Sequence, residues 1–207
     1  GKPCPSHLPA HVQSDILAFD LYHNGNPILI EAGTSTYENN LQRKYERGSS
    51  SHNSFQIIVI SQKGDYLVEP VKTWNSFRAG RKANITKRIH GSLGNGFFVE
   101  GAHDAYKKFG IEHTRRIELS QIQKNSIQFL LIDKVLTKRD IYFQIWYHSF
   151  SLFKLVHPSS FKSWSLNSES VFTAIFFIRS VNSLRSGKGK LIIVIKSSSS
   201  SDDGNIC

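Results

Sequence analysis

Two short runs near the start of the chain contain the residues best suited to proton transfer. Residues 11–15 begin with His11, and residues 45–53 contain both Tyr45 and His52. A neutral imidazole can accept or donate a proton near neutral pH, and a tyrosine beside cationic groups can ionise below its usual pKa of about 10. These residue types therefore suit general acid–base chemistry.

A predicted β-hairpin would position the two runs. Apolar and polar residues alternate over residues 16–22, Asn24-Gly25 is a turn signal, and a second apolar run covers residues 27–30. The polar loop that follows the hairpin would return the second run to the side on which His11 lies. Functional groups carried on loops over a β scaffold are a common arrangement.

The rest of the chain predicts an all-β, mostly antiparallel sandwich of about ten strands. Residues 90–96 contain three glycines and predict a turn. Apolar runs, separated by turn-like pieces at intervals of about 12 to 15 residues, are typical of such a sandwich. They cover residues 97–102, 112–119, 127–135 and 141–147, and a dense β-branched run at residues 55–60 predicts a further, buried strand.

The pattern weakens toward the end of the chain. We expect one β-sandwich domain over residues 1–157, and a poorly patterned segment, 158–196, in which residues 171–178 and 191–195 could be strands. Residues 197–207 predict a disordered polar tail, because they can bury too little apolar surface to become ordered.

Charge predicts a polyanionic partner. Lys and Arg number 26 against 16 Asp and Glu, which gives a net charge of +10 and favours acidic polysaccharide, nucleic acid or anionic lipid. No run approaches the length of about 18 apolar residues that a membrane span needs, so no membrane partner is expected. Aromatic residues are not interleaved with the basic ones as stacking platforms would be, so no nucleic acid is expected either.

The termini and the cysteines carry two smaller expectations. The chain has no Met and begins with Gly1, so we expect a processed product or a piece of a longer protein. Cys4 and Cys207 lie almost at the two ends, where a disulfide framework is not expected.

The most basic segment covers residues 74–88 and includes Arg78 and Arg81. Two interpretations stay open for it. One is a solvated outer face, and the other is a lane that binds an anionic ligand.

Several segments, in the same order and spacing, resemble the C-terminal β domain of heparinase II/III-type polysaccharide lyases. A weaker resemblance continues over residues 74–83 and 100–106 and fades after about residue 157. The segments that carry the resemblance are residues 5–15, 19–21, 24–27, 31–37 and 45–53.

The resemblance implies a lyase that cleaves uronic-acid glycans, heparin- or heparan-like or alginate-like, by β-elimination. This reaction needs a neutralised carboxylate, a base for the adjacent proton and an acid for the leaving oxygen. The resemblance also implies a missing N-terminal α-helical toroid domain and a periplasmic or secreted location. We therefore expect the isolated chain to be inactive or nearly so.

The resemblance places His11 and Tyr45 at catalytic positions. The cationic neighbours Arg43 and Arg47 would favour the phenolate and could bind substrate carboxylate or sulfate. Arg78 and Arg81 are the further candidates for substrate binding. The alternative is that His11 is a loop histidine bonded to backbone and Tyr45 a surface aromatic.

The resemblance also implies a zinc site whose ligand positions are Gln13, Glu31 and His52. Gln13 stands where relatives have a histidine, and a neutral amide oxygen is a poor zinc ligand. The sequence therefore leaves two roles open for Glu31 and His52, a zinc site or a polar clasp for the loop.

The competing interpretation of the whole chain is a non-catalytic carbohydrate-binding or structural β module. His11 and Tyr45 favour the lyase, whereas Gln13 and the absence of a helical half favour the module. No nucleophile elbow, zinc-finger spacing, P-loop or dinucleotide fingerprint occurs in the sequence.

Overall fold

The computed structural model describes residues 11–23, 25–59, 62–75, 77–123, 126–137 and 142–149, together with the backbone of four strands further along the chain. A short helix, α1 (Leu41–Glu46), and the 3-10 turns Ser49–Ser51 and Lys107–Phe109 interrupt the strands. The strands are β1 (Leu21–His23), β2 (Asn26–Leu29), β3 (Phe55–Val59), β4 (Tyr66–Val68), β5 (Ile85–Leu93), β6 (Gly96–His103), β7 (Ile111–Gln123), β8 (Ser126–Thr137), β9 (Tyr142–Ile145), β10 (His148–Ser149), β11 (Lys154–Val156), β12 (Phe172–Thr173), β13 (Phe176–Ile178) and β14 (Lys188–Ser198).

The strands form three antiparallel sheets. Two have four strands, in the orders β1-β2-β10-β12 and β13-β9-β3-β4, and the third has six, in the order β11-β14-β8-β7-β6-β5. The predicted all-β, mostly antiparallel class is confirmed. In the described part of the chain no helix is long and apolar enough to cross a membrane. Cys4 and Cys207 lie outside the described residues.

The first hairpin is shorter than the apolar alternation predicted. Its first strand begins at Leu21 instead of residue 16, and Leu17 has a left-handed backbone with φ +59°. The carbonyls of Leu17 and Phe19 accept hydrogen bonds from the side chains of Arg115 and Asn53. Because side chains satisfy these carbonyls, residues 16–20 need no neighbouring strand.

The turn predicted over residues 90–96 is present but confined to residues 94 and 95. Strand β5 continues through this segment to Leu93 and pairs with β6, and the turn between them contains Gly94, whose φ is +58°. Strand β5 lies at the edge of the six-stranded sheet, where most of its side chains are exposed. An edge strand exposed in this way lacks the in-out alternation by which strands are recognised from sequence.

Aromatic packing joins the sheets in the core. The ring of Phe55 on β3 stacks on the imidazole of His113 on β7 at 4.2 Å between centroids. Around this contact Leu29, Ile57 and Ile145 are fully buried, and burial of each such side chain stabilises the fold by about 1.5–3 kcal/mol.

A buried polar network crosses the six-stranded sheet from β6 to β8. His103 Nδ1 accepts the backbone N–H of Ala105 at 3.2 Å, so its Nε2–H donates to Nδ1 of His113 at 3.0 Å. The Nε2–H of His113 in turn donates to Asp133 at 2.7 Å, and Arg115 bonds both carboxylate oxygens of Asp133 at 2.8 and 3.0 Å. The bonds thus require both histidines to be neutral.

The network makes stability depend on pH. Burial, together with the electrostatic effects of the neighbouring His113 and of the positive Arg115, lowers the pKa of His103 from 6.5 to about 3. The unfolded chain therefore binds a proton that the folded chain does not bind between pH 6.5 and about 3. Stability falls as the pH is lowered through this window, by up to about 1.4 kcal/mol per pH unit for one histidine.

We expect His103→Gln to reduce the slope of the unfolding free energy against pH, because an amide side chain does not titrate. Thermal melts between pH 7 and pH 4, at intervals of about half a unit, measure the slope of unfolding free energy against pH. His90→Gln is the matched control, since His90 is an exposed residue of β5. Equal slopes for the wild type and both variants would contradict the assignment to His103.

Candidate functional site

The polar loop between β2 and β3 is organised by α1. Asn40 is its N-cap, and the side-chain oxygen accepts the backbone N–H of Arg43 at 2.9 Å. The helix buries Arg43 and Glu46 and leaves Tyr45 44% exposed. Arg43 and Glu46 therefore point into the protein, whereas Lys44 and the predicted catalytic Tyr45 are exposed.

His11 pairs with Tyr37, a residue to which the sequence assigned no role. The hydroxyl of Tyr37 lies 3.2 Å from Nδ1 of His11, and the rings meet edge to face at 5.5 Å. The guanidinium of Arg43 lies 5.0 Å from the centre of the Tyr37 ring, a cation–π contact that helps hold the ring. His11 and Tyr37 are both exposed. With Nδ1 engaged, Nε2 is the nitrogen of His11 that can reach a ligand.

A tight loop, residues 73–79, places Arg78, a predicted substrate-binding residue, beside His11 and Tyr37. Thr73 and Ala79 form an antiparallel bridge, and the side-chain oxygen of Asn75 accepts the backbone N–H groups of Phe77 and Arg78 at 3.2 and 2.9 Å. An asparagine that bonds backbone groups two and three residues further on stabilises a turn of this kind.

The loop extends the aromatic contacts of the His11 pair. Phe77 stacks on Tyr37 with 5.9 Å between ring centroids and 10° between ring planes. His11, Tyr37 and Phe77 therefore form a continuous row on the surface.

Arg47 ties the His11 segment to this loop from below. Its side chain is 1% exposed, and Nε donates to the carbonyl of Val12 at 3.0 Å. Its Nη1 donates to the carbonyl of Asn75 and, at 3.3 Å, to that of Arg78. One buried guanidinium thus joins α1, the segment after His11 and the tip of the 73–79 loop.

We expect Arg47→Ala to destabilise the fold, by about 3 kcal/mol, because it leaves buried carbonyls unsatisfied. Arg47→Lys should recover little of this, since an ammonium lacks the planar fork that reaches several carbonyls. Chemical denaturation measures the loss. Arg88→Ala, an exposed arginine on β5, is the control. An Arg47→Ala variant as stable as this control would contradict the clamp.

The four predicted substrate-binding arginines lie in different environments. Arg43 and Arg47 are buried, and Arg81 donates to two backbone carbonyls at 2.6 and 3.2 Å. The guanidinium of Arg78 has no carboxylate partner among the described residues. Direct substrate binding by the four stays a prediction, and Arg78 is the one whose position on the surface suits it.

Two adjoining cavities form a groove beside Arg78. They enclose about 320 and 360 Å³ and share Asn39 and Asn75 in their walls. These volumes are at the lower end of the range for small-ligand sites. One cavity is lined further by Tyr37, Phe77 and Arg78, and the other by Asn40, Leu41, Arg43, Lys44, Arg47, Thr73 and Trp74.

Tyr45 and His11 lie on the same loop system without touching. Within the described residues no hydrogen bond or ring contact joins their side chains, and Tyr45 is not among the residues that line the groove. Their catalytic roles stay predictions.

Glu31 and His52 form a polar clasp between β2 and the end of the loop. Nδ1 of His52 bonds one carboxylate oxygen of Glu31, and the other oxygen accepts the backbone N–H of Asn53 at 2.7 Å. The Asn53 side chain donates to the carbonyl of Phe19 at 2.9 Å and accepts the N–H of His148 at 2.8 Å. The clasp, extended by Asn53, therefore ties the loop to the end of β2 and to β10.

The predicted zinc site fits this geometry less well than the clasp. Both oxygens of Glu31 bond to protein groups, and the amide of Gln13 donates to Thr34 at 2.7 Å. No group of three or more His, Cys, Asp and Glu residues is placed to hold a metal ion within the described part of the chain. Zinc binding stays a prediction, and His52 Nε2, which is buried and lacks a hydrogen-bond partner, is the atom that would ligate it.

His52→Ala should lower the free energy of unfolding by about 1–3 kcal/mol, because the partly buried carboxylate of Glu31 loses one of its partners and the buried imidazole is removed. On the clasp interpretation a strong chelator leaves the melting temperature of the wild type unchanged. A chelator that lowers wild-type stability to that of His52→Ala, with one zinc per chain by elemental analysis, would establish the zinc site instead.

Sequence reasoning missed Tyr37 and the 73–79 loop. Tyr37 belongs to a segment that carries the family resemblance, but no periodic pattern marks its role. The Asn75 turn could have been found, since an asparagine followed by polar and aromatic residues is a turn signal.

Comparison with known proteins gives one family and one fold. Residues 1–200 match the family described as "Heparinase II/III-like, C-terminal", a match that extends well beyond residue 157. Among solved structures, one described as "Heparinase III-BT4657 gene product" is similar at a TM-score of 0.60 and 15% identity. The similarity covers 93% of this chain and 32% of that chain. No curated protein matches the sequence.

Proposed function

The chain belongs to the heparinase II/III-like family, as its C-terminal domain, and we propose that it is the β-domain part of a polysaccharide lyase. Its substrate would be a uronic-acid glycan, heparin- or heparan-like or alginate-like. The observation that carries the proposal is the exposed His11, engaged by Tyr37 and close to a groove lined by the exposed Arg78.

The proposed reaction is β-elimination. A base removes the proton on the carbon next to the uronate carboxylate, a double bond forms to the neighbouring carbon, and the bond from that carbon to the glycosidic oxygen breaks. The departing oxygen takes a proton from an acid. No water is consumed, so the atoms of the chain are divided between an unsaturated end and a new reducing end.

The proposed roles follow from position and residue type. His11 would exchange a proton with the substrate through Nε2, with Tyr37 holding the imidazole in place through Nδ1. Tyr45, exposed on α1, would be the second proton-transfer group. Arg78 would pair with the carboxylate, which makes the adjacent proton more acidic.

The proposal places the remaining groups in another part of a longer enzyme. The similar solved chain is about three times as long as the matched region, since this chain covers 32% of it. An upstream helical domain would close the site, so the isolated chain should show little or no turnover.

A non-catalytic carbohydrate-binding module is the second candidate. It is favoured by Gln13 in place of a histidine and by the absence of contact between Tyr45 and His11. Such a module would bind acidic glycan and produce no unsaturated ends.

We also propose a periplasmic or secreted location, where acidic glycans are encountered. Cell fractionation with an antibody against the chain tests this. Recovery of the full-length protein in the cytoplasmic fraction alone would contradict it.

Ultraviolet absorbance of unsaturated uronate tests the function. Alginate, heparan-like glycan and a neutral polysaccharide are incubated with the chain alone and with a longer protein that includes the upstream helical domain. The longer protein should generate absorbance with at least one acidic glycan and none with the neutral one. Binding without absorbance in both proteins would favour the module.

A further inference from the structure

Three large aromatic side chains are exposed side by side around the groove. Trp74 is 63% exposed, Phe77 53% and Tyr37 44%. Burial of such rings ordinarily contributes strongly to stability, so a cluster left in solvent marks a binding surface. Neither His11 nor Tyr45, the proposed proton-transfer residues, accounts for Trp74 and Phe77.

The structure holds these rings in fixed positions. Phe77 stacks on Tyr37, and Arg47 bonds the carbonyls at the tip of the loop that carries Phe77. The Trp74 ring lies against the backbone of Gly80, where a Cβ atom would come within 2.8 Å of the indole. Gly80 therefore allows a close approach that any larger residue would obstruct.

Polar groups of the groove complement the rings. Asn39 and Asn75 lie in the walls of both cavities, Arg78 lines the cavity of Tyr37 and Phe77, and Lys44 lines that of Trp74. Amides can bond hydroxyl groups as donor and acceptor, and the two cations attract carboxylate or sulfate.

We propose that the groove is a glycan-binding platform on which Tyr37, Phe77 and Trp74 stack against the rings of an acidic oligosaccharide. A pyranose presents C–H groups on its faces, hydroxyls at its edge and, in a uronate, one carboxylate. Aromatic faces, amides and isolated cations match these three features. The identity of the ligand rests on the proposed function, whereas the binding surface itself does not require turnover.

The platform separates binding from proton transfer. Phe77 stacks on Tyr37, and Tyr37 contacts His11. A sugar stacked on Phe77 would therefore lie beside the imidazole of His11. The next sugar of the oligosaccharide would extend toward Trp74. Substitution of Phe77 or Trp74, neither of which contacts His11 directly, should therefore weaken binding and leave the chemical step nearly intact.

Calorimetric titration with alginate oligosaccharides and with heparin oligosaccharides tests the proposal. We expect Phe77→Ala and Trp74→Ala each to weaken binding of the preferred oligosaccharide about tenfold or more. Phe97→Ala is the matched control, because Phe97 is an exposed phenylalanine of β6. Melting temperatures show whether each variant is folded.

The outcomes separate this proposal from the proposed function. Weakened binding in the two platform variants, with or without lyase activity, supports the platform. Lyase activity with wild-type KM and affinity in both variants would overturn the platform and leave the function standing. A wild type that binds neither oligosaccharide, or binds oligo-dT more tightly than both, would overturn the platform as well.

Discussion

Replacing His11 with Ala is expected to lower turnover about a hundredfold or more, the range for loss of a general acid or base. The imidazole is exposed, and its hydrogen-bond partner among the described residues is Tyr37, so its removal should cost little stability. The variant is measured in the longer enzyme by initial rates of unsaturated-uronate formation. Free imidazole added to the assay should restore part of the rate, because the vacated space lies at the surface.

The control for His11 is His90→Ala, an exposed histidine on β5, which should keep wild-type turnover. If His11→Ala is as active as His90→Ala, His11 has no role in proton transfer. Loss of activity with a matching loss of thermal stability would assign it a structural role instead.

Tyr45→Phe is expected to reduce turnover by a similar factor, about a hundredfold, while the fold is unchanged. The substitution removes the hydroxyl and keeps the ring, and 44% of this side chain is exposed. KM should change less than kcat, because the lost group acts in the transition state. The same kinetic assay separates the two constants.

Tyr22→Phe is the matched control, because Tyr22 is 55% exposed on β1. Wild-type turnover in Tyr45→Phe, in an enzyme shown to make unsaturated product, would remove Tyr45 from the site. The remaining proton-transfer group would then have to come from Tyr37 or from the upstream domain.

The fold class could be predicted because apolar runs separated by turn residues mark strands in the local sequence. The runs at 97–102 and 112–119 lie within β6 and β7. Residues 16–20 misled the prediction, because their alternation is real but their carbonyls bond the side chains of Arg115 and Asn53 instead of a strand. The local sequence does not predict hydrogen-bond partners that lie so far along the chain.

The site could be predicted only in part, for a related reason. His11 and His52 follow from residue type and family resemblance. Arg43 and Arg47 look like surface cations in the sequence, yet both are buried beneath the loop. Likewise, the stacking of Phe77 on Tyr37 joins residues that are 40 positions apart in sequence, a separation that no local pattern spans.

The mass of the reaction products tests the central claim most directly. An acidic oligosaccharide of defined length is incubated with the longer enzyme, and the fragments are weighed by mass spectrometry alongside the ultraviolet measurement. The account predicts that the masses of the two fragments add up to that of the substrate, with one fragment unsaturated. Fragments that together contain one additional water would show hydrolysis and contradict elimination, and an intact substrate would contradict lyase activity altogether.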